Sequence, residues 1–308
     1  MVHTLTKSFQ KILLTASIAM SWSASLHAQT LFACEPEWAA LTRVLLPQAQ
    51  LHVATHSRQD PHHIEARPAL IAQMRAADAA ICTGAGLESG WLPTLQQRAG
   101  NPKVQNGQTG MFYAASAVQL INVNPDNAGN PFAGDVHAEG NPHFHTDPRQ
   151  ILKVAQAWGA RLQQIYPEQQ ADIAERLATF QKQWQANLNQ WESKAAILKG
   201  MPVAAQHTAY AYLWRWLDMK QIADLEPTPG LSPTPGHLNA LLTRFRAENP
   251  PVAIVISSYQ DPRSARWLTQ QLGEKVPLLQ LPATVENPDA PDALKQWFDQ
   301  LITKLVEK

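Results

Sequence analysis

Short apolar runs alternate with amphipathic segments along the first part of the chain. Strand-like runs cover residues 30–34, 51–54 and 79–82, and between them apolar side chains recur every three or four residues at 37–46 and 68–77. Strand–helix–strand alternation of this kind is typical of parallel sheets with helices on both faces. The first part of the chain therefore predicts an α/β fold.

The same alternation returns after residue 200 and predicts a second α/β unit. Its continuous apolar run at 252–256 is typical of a strand that is buried on both faces. The other strands of this unit are expected at 203–205, 222–225 and 277–281, and its helices at 210–217, 234–245, 264–272 and 291–306. The first unit is expected to have one more strand at 118–121 and one more helix at 148–165.

The longest uninterrupted helical pattern covers residues 167–199, between these two units. Its apolar side chains recur at spacings of three and four, and no glycine or proline interrupts it after its start. A helix of about 30 residues would span about 45 Å, which suits a rigid rod between two lobes. We therefore predict an α/β protein of two lobes, at 29–166 and 200–308, each with a parallel-sheet core and flanking helices and joined by this one long linking helix.

The N-terminal segment, residues 1–28, has the composition of a secretory signal peptide. Lys7 and Lys11 give a positively charged start, residues 12–20 form a short apolar run, and residues 26–28 offer a small-residue cleavage site. The apolar run is too short to cross a membrane as a helix. We therefore expect export to the periplasm by a cleavable signal peptide, with a buried N-terminal helix as the alternative.

Composition and charge restrict the classes of function. The chain has 25 basic and 25 acidic residues, so no basic excess indicates a nucleic-acid partner. Its two cysteines are Cys34 and Cys82. An exported compartment allows them to form a disulfide, although two buried free thiols fit the sequence as well. In either case two cysteines are too few to build a thiolate zinc site by themselves.

Three of the 11 histidines occupy similar positions in the predicted fold, just past a strand or beside a proline turn. These are His62 and His143 in the first lobe and His207 at the start of the second. Ligands of parallel α/β sheets bind beyond the carboxyl ends of the strands, so the three side chains are expected to meet in a cleft. Zn²⁺ favours neutral imidazole, whereas Mn²⁺ prefers more carboxylate oxygen. The sequence therefore predicts a three-nitrogen site that favours zinc.

The segments around these histidines resemble one known family. Residues 60–65 resemble its Asp-Pro-His-x-Tyr-Glu segment, residues 142–148 its Asp-Pro-His-x-Trp-x-Asp-Pro segment, and residues 207–213 its His-x-Ala-Phe-x-Tyr segment. The family is that of the zinc/manganese-binding periplasmic solute-binding proteins of bacterial ABC metal importers, in the zinc-type cluster with a rigid linking helix. The resemblance covers the whole mature chain and implies the three histidines as metal ligands.

This resemblance implies a binding protein rather than an enzyme. Its expected function is high-affinity binding of Zn²⁺, with Mn²⁺ less favoured, in the cleft between the lobes and delivery of the ion to the membrane permease of an ABC importer. A monomer is expected. Two alternatives remain beside it. One is a zinc-dependent periplasmic hydrolase with Glu65 or Asp261 as general base, and the other is a surface adhesin on the same fold.

The chain departs from the family pattern where a fourth ligand is usual. The family places a carboxylate in the segment before its last helix, but residues 279–284 contain no acid. The fourth position is therefore open to water or to His63, His145, Glu65 or Asp261. An open position also resembles a catalytic zinc site, which keeps the hydrolase alternative in place.

Two further features have both a functional and a plain interpretation. The long loop at 122–145 carries His137 and His145, and it is either a zinc-gathering flap or an ordinary solvated loop. Glu65 and Asp147 could orient metal ligands by accepting hydrogen bonds from them. For Asp147, which precedes a proline, the N-cap of the following helix is the favoured interpretation.

Overall fold

The chain forms two α/β lobes that are joined by a long helix. The structure, a computed structural model, describes residues 29–125, 135–248, 250–273 and 275–308. The predicted signal peptide at 1–28 lies outside the described residues. The predicted fold class, with two parallel sheets and one long linking helix, is confirmed.

Within the described residues, each lobe is built on a four-stranded sheet in which all neighbouring strands run parallel. The two sheets have the same strand order, with the first strand of each lobe in an inner position. The first sheet contains β1 (Thr30–Ala33), β2 (Gln50–Val53), β3 (Ala79–Cys82) and β4 (Met111–Tyr113) in the order β2-β1-β3-β4, and the second contains β5 (Pro202–Ala205), β6 (Lys220–Asp224), β7 (Ile254–Ser257) and β8 (Leu278–Leu281) in the order β6-β5-β7-β8.

Helices flank both sheets, and several of them begin with a proline in the first turn. Proline suits that position because its φ is already helical and its missing N–H has no partner to lose there. The described helices are α1 (Pro36–Leu45), α2 (Pro68–Ala76), α3 (Leu92–Ala99), α4 (Pro148–Ile165), α5 (Gln170–Ala195), α6 (Ala211–Trp216), α7 (Pro235–Ala247), α8 (Arg263–Leu272) and α9 (Ala293–Val306). Among these described helices, none combines the length and the apolarity that a membrane crossing requires.

The inner strands β3 and β7 explain the apolar runs in the sequence at 79–82 and 252–256. Every residue of both strands is buried. Each strand has a neighbour on either side and helices on both faces of its sheet, so neither face of the strand meets water. The continuous apolar sequence of these two strands is therefore a consequence of the burial of both their faces.

The linking helix α5 is held by side chains on its buried face. At 1.5 Å per residue its 26 residues span about 39 Å, and single 3-10 turns extend it at both ends. Trp184 stacks on Phe180 at 5.1 Å between ring centroids and meets Phe298 of α9 edge-on at 5.5 Å. Its indole N–H donates to the carbonyl of Pro148, at the start of α4, at 2.8 Å. The helix is thus fixed to helices of both lobes.

The predicted strand at 118–121 is wrong, and the last strand of the first sheet is β4 instead. The apolar side chains at 118–121 are partly buried against the core, but the backbone pairs with other partners. The N–H of Ile121 donates to the hydroxyl of Tyr212, and its carbonyl accepts from the N–H of Asn141. Burial without strand pairing therefore produced the strand-like pattern, whereas β4 has only three residues and too little pattern to be recognised.

Candidate metal centre

The three candidate histidines lie at the carboxyl edges of the two sheets. His62 lies in the connection between β2 and α2, and His207 follows β5 by two residues. His143 is the first residue of the 3-10 turn His143–Thr146, which leads into α4. The chain order reverses beside β1 and β5, and parallel sheets open a crevice for ligands at such points. Facing crevices of the two lobes bring the histidines together.

The imidazole rings of these histidines form a compact cluster. The ring centroids of His143 lie 5.4 Å from those of both His62 and His207, and the latter two are 6.0 Å apart. One ring nitrogen of each histidine lies within 4.8 Å of the others. All three side chains are buried, and Nε2 of His143 and of His207 has no hydrogen-bond partner among the described residues. Because buried polar atoms are normally satisfied, two converging nitrogens of this kind make the cluster a candidate cation site.

Two carboxylates determine which ring nitrogen faces the centre of the cluster. Nδ1 of His62 lies 2.7 Å from Asp60 Oδ1, and Nδ1 of His207 lies 2.8 Å from Glu226 Oε2. An ionised carboxylate can only accept, so Nδ1 of each ring carries the donated proton. The lone pair on each Nε2 is then free to bind a metal ion. Glu226 also accepts the N–H of Gly230 at 2.8 Å, which fixes its own position.

These partners differ from Glu65, which the sequence suggested as an acceptor, whereas the favoured N-cap interpretation of Asp147 is confirmed. Glu65 is exposed. Asp147 is buried and is the N-cap of α4. It accepts the backbone N–H of Arg149 at 2.9 Å and forms an ion pair with the guanidinium of the same residue at 2.8 Å. Asp60 and Glu226 take the orienting role instead. Glu226 was missed because its approach to His207 depends on the pairing of β5 with β6, which the sequence alone does not specify.

The surroundings set different proton affinities for the clustered rings. Burial, followed by the charges of His207 and His62, holds the pKa of His143 well below its usual value. Burial alone would also lower the pKa of His62, but the hydrogen bond to Asp60 and the charge of Asp135 raise it overall. His143 is therefore neutral, whereas His62 takes up a proton more readily than His143, and that proton would compete with a metal.

The four side chains that the sequence offered as a fourth ligand are exposed or contact other groups. His63 and Glu65 are exposed. His145 is buried, with Nε2 at 3.3 Å from the carbonyl of Ala283 and its ring stacked 5.8 Å from that of Trp297. Asp261 bonds the guanidinium and the backbone N–H of its neighbour Arg263, which hold the pKa of this carboxyl below its usual value.

A further imidazole reaches the cluster from the long loop. Nε2 of His137 lies 3.2 Å from Nε2 of His62, and the two rings stack at 5.3 Å between centroids. Burial, and then the charge of His62, lowers the pKa of His137 to about 4. The sequence placed His137 in a candidate flap but did not bring it to His62. Its loop has no periodicity from which such a contact could be deduced.

The two cysteines form a disulfide, Cys34–Cys82, which joins the carboxyl ends of β1 and β3. Of the two alternatives that the sequence left open, the structure has the bridge rather than the free thiols. The bridge brings Glu35 next to Thr83, and the hydroxyl of Thr83 donates to Glu35 Oε2 at 2.9 Å. The disulfide therefore holds a buried carboxyl group of the crevice in place.

Glu35 and Glu88 are two buried carboxyl groups at the edge of the first sheet. Glu88 accepts the backbone N–H groups of Thr83 at 2.6 Å and of Gly84 at 3.0 Å. Burial raises the pKa of Glu88 to about 7, and burial together with the charge of Glu88 raises that of Glu35. Glu35 lines a small cavity together with His143, so this pair extends the polar interior beside the histidine cluster.

Comparison with known proteins gives the family. The family model of zinc-uptake complex component A, periplasmic (ZnuA), matches residues 32–308. The zinc-binding lipoprotein AdcA of Streptococcus pneumoniae serotype 4 is 22% identical over 222 residues, which are 71% of this chain and 43% of AdcA. This chain therefore spans less than half the length of the curated relatives that it matches.

Solved structures share the fold at low sequence identity. A crystal structure of ZnuA is 18% identical with a TM-score of 0.72, over 91% of this chain and 98% of that one. The solute-binding protein FpvC of Pseudomonas aeruginosa, solved in complex with Mn²⁺, is 16% identical with a TM-score of 0.74 and the same coverage. The matched family is one of periplasmic uptake components, which confirms the prediction of a binding protein rather than an enzyme. The chain belongs to the ZnuA family, the periplasmic component A of zinc-uptake complexes.

Proposed function

We propose that this protein binds one Zn²⁺ ion through Nε2 of His62, His143 and His207 and delivers it to the permease of an ABC importer. The observation that carries the proposal is the convergence of three buried imidazoles, two of which have an Nε2 atom without a partner among the described residues. The carboxylates on Nδ1 of His62 and His207 support it, because they orient both rings and increase the basicity of Nε2.

The donor set favours zinc over manganese. Imidazole nitrogen suits Zn²⁺, which accepts four ligands in tetrahedral geometry, whereas Mn²⁺ prefers carboxylate oxygen and a larger number of ligands. In this cluster Asp60 and Glu226 bond Nδ1 of their histidines instead of adding oxygen ligands. The related AdcA is named for zinc, and FpvC was solved with Mn²⁺.

Delivery requires that the ion leave the cleft when the protein docks to its permease. We assign the lobes to residues 29–166 and 200–308 and the linking helix to 167–199, with residues 1–28 as the signal peptide for export to the periplasm. The contacts of Trp184 with both lobes limit large hinge motions about α5. Release then proceeds through small shifts of the segments that carry the histidines, in a protein that acts as a monomer.

Titration of the metal-stripped protein tests this function. We expect one Zn²⁺ per chain, bound with an affinity higher than that for Mn²⁺, because three neutral nitrogens complement Zn²⁺. Isothermal titration calorimetry, with a competing chelator for the tighter ion, measures both affinities on one sample. Tighter binding of Mn²⁺ than of Zn²⁺ would contradict the choice of ion, and the absence of stoichiometric binding of either would contradict the proposed function.

The carboxylate of Glu226 gives a test of ligand orientation. Glu226→Gln keeps the shape and the hydrogen-bond acceptor for His207 but removes the negative charge, so we expect Zn²⁺ affinity to fall on the order of tenfold. Competition titration measures the change. The matched control is Glu175→Gln, which removes the same charge from an exposed side chain of α5, away from the cluster. Equal affinities of the two variants would show that Glu226 does not act through His207.

A further inference from the structure

We infer that Ser258, in the second lobe, positions His62 by holding the first-lobe segment that carries this histidine. The inference rests on the proposed function and deepens it, because it names a positioning residue that acts on a ligand from the opposite lobe. The contact is the hydrogen bond between the hydroxyl of Ser258 and the carbonyl of Ser57.

The hydroxyl of Ser258 connects backbone segments of the two lobes. It donates to the carbonyl of Ser57 at 2.7 Å, and its oxygen accepts the N–H of Ala283 at 3.2 Å. Ser57 lies in the connection between β2 and α2, whereas Ala283 follows β8. Because a hydroxyl has one proton to donate and two lone pairs that accept, both bonds form at once. Ser258 therefore fastens the segment before His62 to the second lobe.

The turn that presents Ser258 is fixed by its own hydrogen bonds. Ser258 directly follows β7, a strand of which every residue is buried. The N–H of Ser257 donates to Oε1 of Gln260 at 2.8 Å, and the N–H of Gln260 donates to the carbonyl of Ser257 at 3.1 Å. The hydroxyl thus projects from a well-anchored part of the second lobe and can hold its partner in place.

The segment that carries His62 is anchored to the first lobe on both sides of this contact. The hydroxyl of Thr55 donates to the carbonyl of Cys34 at 2.9 Å, and the indole N–H of Trp91 donates to the carbonyl of Pro61 at 2.9 Å. Between these anchors, the carbonyl of Ser57 reaches the other lobe. A movement of the second lobe relative to the first therefore acts on the segment at this carbonyl.

Asp60 transmits such a movement to the ring of His62. It lies between Ser57 and His62 in the chain, and its Oδ1 accepts the backbone N–H of His62 at 3.0 Å and bonds Nδ1 of the ring at 2.7 Å. The ring is therefore fixed to the backbone of its own segment. Without the bond to Ser258, the segment would sample more conformations in the metal-free protein. Ordering it when the ion binds would then lower the affinity.

The test compares Ser258→Ala with Asp289→Ala in the metal-stripped protein. Asp289 pairs with the guanidinium of Arg43 at 2.8 Å, also between the two lobes, but Arg43 lies on α1, which carries none of the three histidines. Each variant thus loses one contact between the lobes, and Ser258→Ala loses it on the segment of His62. Competition titration gives the Zn²⁺ affinity, and transfer to a chelator in a stopped-flow instrument gives the dissociation rate. Circular dichroism verifies that both variants are folded.

We expect the Zn²⁺ affinity of Ser258→Ala to be lower by about fivefold, which corresponds to about 1 kcal/mol and to the net contribution of one hydrogen bond. The loss of Zn²⁺ to the chelator should be faster, whereas Asp289→Ala should bind Zn²⁺ as the parent protein does. An unchanged affinity of Ser258→Ala, or an equal decrease in Asp289→Ala, would overturn the inference.

The same substitution in two ligand variants determines whether Ser258 acts through His62. In His62→Ala, the addition of Ser258→Ala should have no further effect on Zn²⁺ affinity, because the ring that it positions is absent. In His207→Ala the decrease should remain. A further decrease in His62→Ala, or none in His207→Ala, would overturn the inference and leave the three-histidine site intact. If His62→Ala and His207→Ala alone bind Zn²⁺ as tightly as the parent protein, the proposed function fails together with the inference.

Discussion

His143→Ala is expected to lower the Zn²⁺ affinity at least about a thousandfold, which corresponds to about 4 kcal/mol of binding free energy. His143 has the central ring of the cluster, equally close to those of His62 and His207. Its Nε2 is buried without a partner among the described residues, and burial keeps the ring neutral by lowering its pKa. Removal of this ring therefore takes away a ligand that needs no deprotonation before it binds.

Thermal unfolding with and without Zn²⁺ provides the measurement. A ligand that binds only the native state stabilises it in proportion to the logarithm of its concentration relative to Kd. The Zn²⁺-dependent increase in Tm should therefore largely disappear in His143→Ala at ion concentrations that saturate the parent protein.

The matched control is His145→Ala, which removes another buried histidine two residues away. The ring of His145 packs on Trp297 and its Nε2 faces the carbonyl of Ala283, so this variant should lose stability but keep the Zn²⁺-dependent increase in Tm. A full Zn²⁺ response in His143→Ala would remove this histidine from the site. A lost response in both variants would show that His145 is a ligand as well.

The elements that could be predicted from the sequence are those whose buried side chains form a regular apolar pattern. The linking helix was recognised because Trp184 and its apolar neighbours repeat on one face over many turns, and β7 because both of its faces are buried. The strand β4 was missed because three residues carry too little pattern. At 118–121 the prediction failed because apolar side chains are packed without a partner strand.

The residues of the candidate site also fall into those that the sequence could predict and those that it could not. His62, His143 and His207 could be chosen because strand ends converge in parallel sheets and because their segments resemble a family. The orienting carboxylates could not be chosen, since Glu226 reaches His207 only through the pairing of β5 with β6. The contact of His137 with His62 depends on the path of an irregular loop, for which the sequence contains no spacing rule.

Removal of the disulfide is expected to have the largest effect on stability. Cys34 and Cys82 are separated by 48 residues, and closing a loop of that length in the unfolded chain lowers its conformational entropy by an amount worth about 4 kcal/mol. The bridge also joins β1 to β3 and holds Glu35 beside Thr83, where a buried carboxyl group needs its hydrogen bond. The double variant Cys34→Ala/Cys82→Ala should therefore unfold at clearly lower urea concentration.

Urea unfolding of the metal-free protein, with and without reductant, measures this contribution. Reductant should shift the midpoint of the parent protein towards that of the double variant and leave the double variant unchanged, because the variant has no bridge to reduce. The cysteines do not belong to the histidine cluster, so the folded double variant should keep its Zn²⁺ affinity. A midpoint equal to that of the parent protein would contradict the predicted contribution of the bridge to stability.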